Sequence, residues 1–146
     1  MSIDDDVALL ERVPTLRLLG NTALRMLAIG SEQRNFERGD VLFNVGDEAD
    51  AGYIVQHGAF RVEEGGAELI AGPGALIGEL ALIVAMKRPS SALALERSSV
   101  IRVARSLFQR VLESDPAAAR RLRDELATRT SQLASDILMA GAKLST

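Results

Sequence analysis

The residues best suited to chemistry lie between positions 72 and 91. Gly78-Glu79 opens a run of helix-forming residues, and the free backbone N–H groups at a helix start can bind an anion. Arg88 supplies a permanent, fork-shaped cation nearby, and the Glu79 carboxylate can accept a hydrogen bond from a sugar hydroxyl. In their apolar surroundings, these groups predict a site for a phosphorylated nucleoside of limited charge.

Simpler interpretations exist for the same residues. Arg88 could be a surface arginine beside Lys87, and Glu79 could be an acid stabilised by the helix dipole. A dinucleotide-binding turn is a third interpretation, but the last interval of the glycine pattern from Gly72 to Gly78 holds three residues where that fingerprint has two. No parallel βαβ unit surrounds it, and the phosphate-loop lysine motif is absent as well.

Composition excludes several other functions. The chain has 146 residues, 17 basic and 20 acidic side chains and a formal charge of −3, as expected for one ordinary globular domain. It has no cysteine and a single histidine, His57, which argues against disulfide scaffolds, thiol nucleophiles and the usual zinc or non-haem iron sites. Net acidity argues against a general nucleic-acid surface. We expect a protein that is not an enzyme and holds no metal or cofactor.

We also expect a cytoplasmic protein without membrane contact. The chain opens with Asp4-Asp5-Asp6, where a secretory leader carries basic residues. The most apolar stretch, Ala75 to Met86, is interrupted by Glu79 and is shorter than the roughly 20 residues that a bilayer requires. The lack of cysteine is compatible with a reducing compartment.

The elements that must position the segment follow from the hydrophobic pattern. Apolar residues at three- and four-residue spacing predict two or three short helices within residues 1–30. Between residues 31 and 104, short runs bounded by glycine turns predict the strands of a small antiparallel sandwich or barrel. The strand candidates are Gln33 to Glu37, Val41 to Val45, Tyr53 to Gln56, Phe60 to Glu63, Glu68 to Ala71, Ser91 to Leu95 and Val100 to Ala104. A short helix is predicted from Gly78 to Ile83.

Residues 105–146 return to helical patterns. Ser106-Leu107-Phe108-Gln109 matches the capping-box pattern, which predicts a helix start at Ser106. Asp115 precedes Pro116, and an N-cap acid before a proline predicts a long helix from about Pro116 to Met139.

The long helix carries an apolar stripe. Its members are Leu122, Leu126, Leu133 and Ile137, with Arg129 and Thr130 interrupting them. The stripe could pack on a second copy, giving a homodimer, or on the rest of the chain. From Pro116 onward five basic and three acidic residues leave a local charge of +2, too little for DNA contact by this chain.

The segment resembles the phosphate-binding cassette of the cyclic nucleotide-binding domain family. The residues that carry this resemblance are Gly78-Glu79-Leu80-Ala81-Leu82-Ile83, four intervening residues and Arg88. It extends to the early strands in order, through Phe36-Glu37-Arg38-Gly39-Asp40-Val41-Leu42-Phe43, then Gly46-Asp47-Glu48-Ala49-Asp50, then Tyr53-Ile54-Val55 and Gly58. The similarity runs roughly from Leu9 to Arg129.

The resemblance implies a mainly β fold: an antiparallel eight-stranded β-roll of jelly-roll type with N-terminal helices, a short cassette helix and a long C-terminal helix. It implies one cyclic nucleotide-binding domain over residues 1–146, with the cassette at 78–91 and cAMP or cGMP as the ligand. It also implies that Glu79 takes the ribose 2′-hydroxyl, that Arg88 pairs with the cyclic phosphate and that Asp50 helps to hold the arginine. Gly78, Leu80 and Ala81 belong to the same binding segment.

Pro89 departs from the family pattern. Members usually carry, directly after the arginine, a small residue whose backbone N–H reaches the phosphate, and proline has no N–H. Ser90 and Ser91 are the candidates to replace this donor. Relatives that favour cGMP often have a threonine at the same place, so its absence favours cAMP over cGMP.

The preferred hypothesis is a non-enzymatic sensor in which ligand binding closes the C-terminal helix over the base. One alternative is a degenerate β-roll that serves protein interaction or dimerisation without binding nucleotide, and Pro89 is the reason to consider it. Another is the sensor portion of a larger transcription regulator or channel, because the sequence contains no recognisable output module.

Overall fold

The computed structural model describes residues 2–128, and its first three helices precede all the strands. They are α1 (Ile3–Glu11), α2 (Pro14–Arg17) and α3 (Asn21–Gly30). Ser2 starts α1 because its side chain accepts a hydrogen bond from the Asp5 backbone N–H, while the Asp5 side chain accepts one from the Ser2 backbone. Pro14, which has no N–H to lose, occupies the first turn of α2. The predicted N-terminal helices are present.

The strands form two four-stranded antiparallel sheets and one two-stranded pair. In chain order they are β1 (Glu32–Phe36), β2 (Val41–Phe43), β3 (Glu48–Ala49), β4 (Ala51–His57), β5 (Phe60–Glu64), β6 (Ala67–Ala71), β7 (Leu76–Ile77), β8 (Met86–Lys87), β9 (Ser91–Ala94) and β10 (Ser98–Ala104). One sheet has the order β1-β10-β4-β7, the other β2-β9-β5-β6, and β3 pairs with β8. The mainly β fold of β-roll type with flanking helices is confirmed.

The roll interior and the helix side form two separate apolar clusters, and strand β4 contributes to both. Tyr53 and Val55 lie in the cluster between the sheets, whereas Ile54 lies in the cluster with the helices. This division follows from the two-residue alternation of side chains along a strand. Both faces of β4 are covered and it is an inner strand of its sheet, and the candidate site lies at its N-terminal end, where Arg88 contacts Ala51.

All seven predicted strands are present, with ends that differ from the prediction by two residues or fewer. With β7 they make up the eight strands of the two large sheets. The three strands that the sequence does not reveal, β3, β7 and β8, have two residues each. A strand of two residues has no alternating pattern, so only its pairing partner identifies it.

Two helices follow the strands. Helix α4 (Arg105–Ser114) begins after the N-cap Ala104 and has no side-chain cap, so the prediction that Ser106 caps this helix is wrong. The strand β10 runs directly into α4, and this continuity sets the helix start instead of a capping side chain. Helix α5 covers residues 116–128, and its first turn is capped by Asp115, which accepts a hydrogen bond from the Ala118 backbone at 3.1 Å.

The C-terminal helix is described as far as Thr128. Leu122 is buried in the helix-side cluster and Leu126 packs against it, so the first half of the apolar stripe faces this chain's own core. The remaining stripe residues, Leu133 and Ile137, and the interrupting Arg129 and Thr130 lie outside the described residues, as does the predicted helix end at Met139.

Candidate ligand-binding site

A cavity of about 520 Å³ lies at the cassette. Its size is typical of small-molecule sites. Most of its lining is apolar, and the polar and charged side chains among the lining residues are Glu64, Glu79, Arg88 and Ser90. The lining residues are Phe43, Ala49, Val62, Glu64, Leu69, Ile70, Ala71, Ala75, Leu76, Ile77, Gly78, Glu79, Leu80, Ala81, Met86, Arg88, Pro89 and Ser90.

Gly78 is required by the local geometry. Its φ of 78° lies in the left-handed region that favours glycine, and a Cβ placed there would lie 2.5 Å from Nη1 of Arg88. The predicted cassette helix that follows is a single 3-10 turn, Glu79–Leu82, in which the Ala81 N–H donates to the Gly78 carbonyl at 3.1 Å. Gly78 therefore allows the arginine to approach the backbone of the cassette.

Arg88 is a buried cation, with 4% of its surface exposed. Its Nη2 donates to the Ala51 carbonyl at 2.8 Å. The guanidinium carbon lies 4.3 Å from the centre of the Phe43 ring and 5.4 Å from that of Tyr53, so two aromatic faces support the cation. Its Nε has no hydrogen-bond partner among the described residues. A buried donor of this kind is costly unless a ligand satisfies it.

Burial lowers the pKa of Arg88 below its ordinary value because the charged form loses hydration, while the neighbouring Tyr53 and Asp50 act in the opposite direction. Arginine nevertheless keeps its charge in proteins at neutral pH, because its reference pKa is so high. The cavity therefore presents a permanent positive charge to whatever enters it.

Glu79 lies between the cavity and the N-terminal helices. It lines the cavity, and its Oε1 accepts a hydrogen bond from the Thr15 hydroxyl at 2.5 Å. Thr15 belongs to α2 and is 5% exposed. The predicted hydroxyl acceptor is thus present, and a residue that the sequence did not single out contacts it.

Asp50 lies next to the site but its direct contact is with another arginine. The carboxylate pairs with Nη2 of Arg102 at 3.0 Å, while Arg88 donates to the Ala51 carbonyl. The two partners are brought together by the pairing of β4 with β10, since Asp50 immediately precedes β4 and Arg102 lies on β10. The Asp50 carboxylate acts on Arg88 electrostatically, by raising the pKa of the guanidinium. The role of Asp50 in holding the Arg88 side chain stays a prediction.

The structure places the other predicted site residues as follows. Leu80 is exposed at the cavity, Ala81 is buried and Ser90 is buried beside Arg88 and the exposed Pro89. Ser91 belongs to β9, where it is paired with Glu63 of β5. Ser90 is therefore the better placed of the two serines to offer a donor at the cavity.

The sequence did not reveal Arg105, which binds the cassette to the start of α4. Its Nη1 donates to the carbonyls of Ala49, Ala81 and Val84 at 2.8, 3.2 and 3.1 Å. It also did not reveal the aromatic pair on Arg88. In the sequence, Phe43 and Tyr53 have the pattern of ordinary core residues. Their rings meet the Arg88 guanidinium only because the folded roll brings them together.

No helix within residues 2–128 is long and apolar enough to cross a membrane. In the same part of the chain, no group of three or more histidine, cysteine or acidic side chains is arranged to hold a metal ion.

The sequence is similar to that of known proteins. The chain is 32% identical over 133 residues to an uncharacterised NTE family protein of Mycobacterium tuberculosis, a match that covers 84% of this chain and 23% of that protein. The chain therefore spans less than a quarter of the length of this curated relative.

Two solved structures are similar. A cyclic nucleotide-binding-like protein from Brucella abortus has a TM-score of 0.67 and 36% identity, over 75% of this chain and 99% of that chain. The N-terminal domain of a transcriptional regulator from Streptomyces coelicolor has a TM-score of 0.78 and 27% identity, over 86% and 94% of the two chains.

The sequence model described as cyclic nucleotide-binding domain matches residues 33–115. These residues include the buried arginine and the glycine that accommodates it, and the chain belongs to the cyclic nucleotide-binding domain family.

Proposed function

We propose that residues 1–146 form one non-enzymatic sensor domain that binds a cyclic nucleotide, with cAMP favoured over cGMP. The observation that carries this proposal is Arg88, a buried cation whose Nε has no partner among the described residues and which lines a largely apolar cavity beside Gly78. A cyclic phosphate carries one negative charge. It would compensate the guanidinium without adding excess charge to a low-dielectric site.

The remaining groups suit the rest of such a ligand. Glu79, which lines the same cavity, supplies an acceptor for the ribose 2′-hydroxyl, and Ser90 supplies a donor beside Arg88. The apolar part of the lining, which includes Val62, Leu69 and Ile70, suits the faces of a purine ring. Phosphate, sugar and base would therefore each be matched by different residues of one cavity.

The signal in this proposal is a closure of the C-terminal helix over the base, with Asp50 helping to orient Arg88. By linkage, ligand binding can shift the helix only to the extent that the ligand binds the closed state more tightly than the open one. The same helix is the candidate surface for a homodimer. We place the protein in the cytoplasm and propose no DNA contact from this chain.

The output of the sensor would come from a joined module. One similar structure is the N-terminal domain of a transcriptional regulator, and the mycobacterial NTE family relative is much longer than this chain. Both observations support the alternative that the domain is the sensor portion of a larger protein. Any catalytic activity of such a larger protein would belong to its other domains, because the described cavity has the features of a binding site.

Isothermal titration with cAMP and with cGMP tests the proposal. The wild-type chain is expected to bind, and Arg88→Ala is expected to lose about 2–5 kcal/mol of binding free energy, the usual effect of removing one partner of a buried charge pair. The matched control is Arg97→Ala, because Arg97 is exposed and its ion pair is with Glu37, away from the cavity.

Unchanged affinity in the folded Arg88→Ala variant would contradict the phosphate assignment. Absence of binding of both ligands to the wild-type chain would instead favour the degenerate β-roll, in which Pro89 has removed the phosphate donor. Circular dichroism of each variant establishes that the fold is retained.

A further inference from the structure

The hydrogen bond between Thr15 and Glu79 joins two parts of the chain that are distant in sequence. Thr15 lies in α2, and Glu79 begins the 3-10 turn of the cassette. The Thr15 hydroxyl donates to Oε1 of Glu79 at 2.5 Å. This bond connects a side chain of the N-terminal helices with a side chain that lines the cavity.

The Thr15 hydroxyl is held in a defined position. Its neighbours Val13 and Leu16 are buried in the helix-side cluster, so α2 is anchored on the protein. Thr15 is itself 5% exposed, and a β-branched side chain has few rotamers to choose from. The connection before α2 also contacts the loop that precedes the cassette, because Nη2 of Arg12 donates to the Pro73 carbonyl at 3.3 Å. The donor is therefore fixed relative to the cassette.

Glu79 needs such a partner if it is to bind a sugar. Its side chain is long, and immobilising it during ligand binding would lower the affinity. A carboxylate has two oxygens and about four acceptor positions, so one carboxylate can accept hydrogen bonds from several donors at once, including the Thr15 hydroxyl and a hydroxyl of a ligand. Glu79 lines the candidate ligand cavity, and together with Thr15 it also lines a neighbouring cavity, so the Thr15 hydroxyl can hold the carboxylate where the two cavities adjoin.

We propose that Thr15 is a positioning residue for the sugar: it holds the Glu79 carboxylate in the orientation that accepts the ribose 2′-hydroxyl. This inference rests on the proposed cyclic nucleotide-binding function. It assigns a role in ligand recognition to the N-terminal helices, which otherwise serve as a packing layer on the roll.

The test compares two ligands, cAMP and 2′-deoxy-cAMP, on the full chain with Thr15→Val and Thr15→Ser. Valine keeps the shape of threonine and removes the hydroxyl. Thr15→Val is expected to weaken cAMP binding by about threefold to tenfold, the range for one hydrogen bond, and to leave 2′-deoxy-cAMP binding unchanged. Thr15→Ser retains the hydroxyl and is expected to keep the wild-type ratio of the two affinities.

A purely structural role for Thr15 would weaken the two ligands equally, and that result, or an unchanged cAMP affinity, would overturn the inference. If the wild-type chain binds neither ligand, the proposed function itself fails and this inference fails with it. If the wild-type chain binds both ligands equally well, Glu79 does not recognise the 2′-hydroxyl. That result refutes the positioning role of Thr15 and leaves the proposed cyclic nucleotide binding intact. Should the valine variant not fold, Thr15→Ala replaces it in the same comparison.

Discussion

At the scale of single residues, Pro89 sets the character of the candidate site. It follows the buried Arg88, lines the cavity and is itself exposed, and it offers neither an N–H nor a hydroxyl. The neighbouring Ser90 is buried at the same cavity. A phosphate bound here would therefore depend more strongly on Arg88 and Ser90 than on the backbone of residue 89.

Pro89→Thr restores both a backbone donor and a hydroxyl at this position. Since one hydrogen bond contributes about 0.5–1.5 kcal/mol, we expect cGMP binding to strengthen by at most about tenfold relative to cAMP. Titration of both ligands on both proteins measures the ratio. A wild-type preference for cGMP, or an identical ratio in the two proteins, would show that the base is not read at this position.

At the scale of elements, the cassette is held in place by contacts with α4 and with β3. Arg105, the first residue of α4, donates to the carbonyls of Ala81 within the 3-10 turn and of Val84 after it, and to that of Ala49 in β3. At the other end of the cassette, β8 pairs with β3, the two-residue strand that precedes β4. These contacts explain how a segment with so little regular structure can hold a buried arginine in place.

Arg105→Ala is expected to destabilise the fold by about 1.5–3 kcal/mol, because hydrogen bonds from a charged donor are lost and three carbonyls lose their partner. Denaturant unfolding of the ligand-free protein measures this change. Arg110→Ala is the matched control, as Arg110 is an exposed arginine on the same helix. An equal effect of the two substitutions would mean that the contacts of Arg105 carry no special weight.

At the scale of the whole molecule, helix α5 belongs to the core of this chain. Ala118 and Leu122 are buried in the helix-side cluster, and Arg121 donates to the carbonyls of Leu18 and Leu19 at 2.7 and 2.9 Å. The helix is thus fastened to the connection between α2 and α3. A self-association surface would have to use residues other than these.

Two truncations separate the roles of the helix. A chain ending at Asp115 loses Leu122 from the core, and its free energy of unfolding is expected to fall by about 2–5 kcal/mol or more. A chain ending at Thr128 is expected to keep the described fold. In sedimentation, the full chain is expected to be a dimer and the chain ending at Thr128 a monomer. The same assembly state for both would place the dimer surface elsewhere or refute self-association.

The seven longer strands, the N-terminal helices and the pair Gly78 and Arg88 were predicted from sequence alone. Each has a local signature: runs bounded by glycine turns, apolar residues at helical spacing, or a family motif of fixed order. The cap of α4 was predicted wrongly from a local pattern, because β10 leads directly into the helix and no capping side chain is used.

Only the tertiary structure decided which groups surround the cassette. Thr15 meets Glu79, Arg105 meets the carbonyls of the cassette, and the rings of Phe43 and Tyr53 meet Arg88, all between residues far apart along the chain. Such partners leave no trace in local spacing, because they depend on how the sheets and helices pack. The sequence alone determined the fold class and the motif that could bind an anion. The packed fold decided that the arginine of this motif is buried and that its glutamate is held from the N-terminal helices.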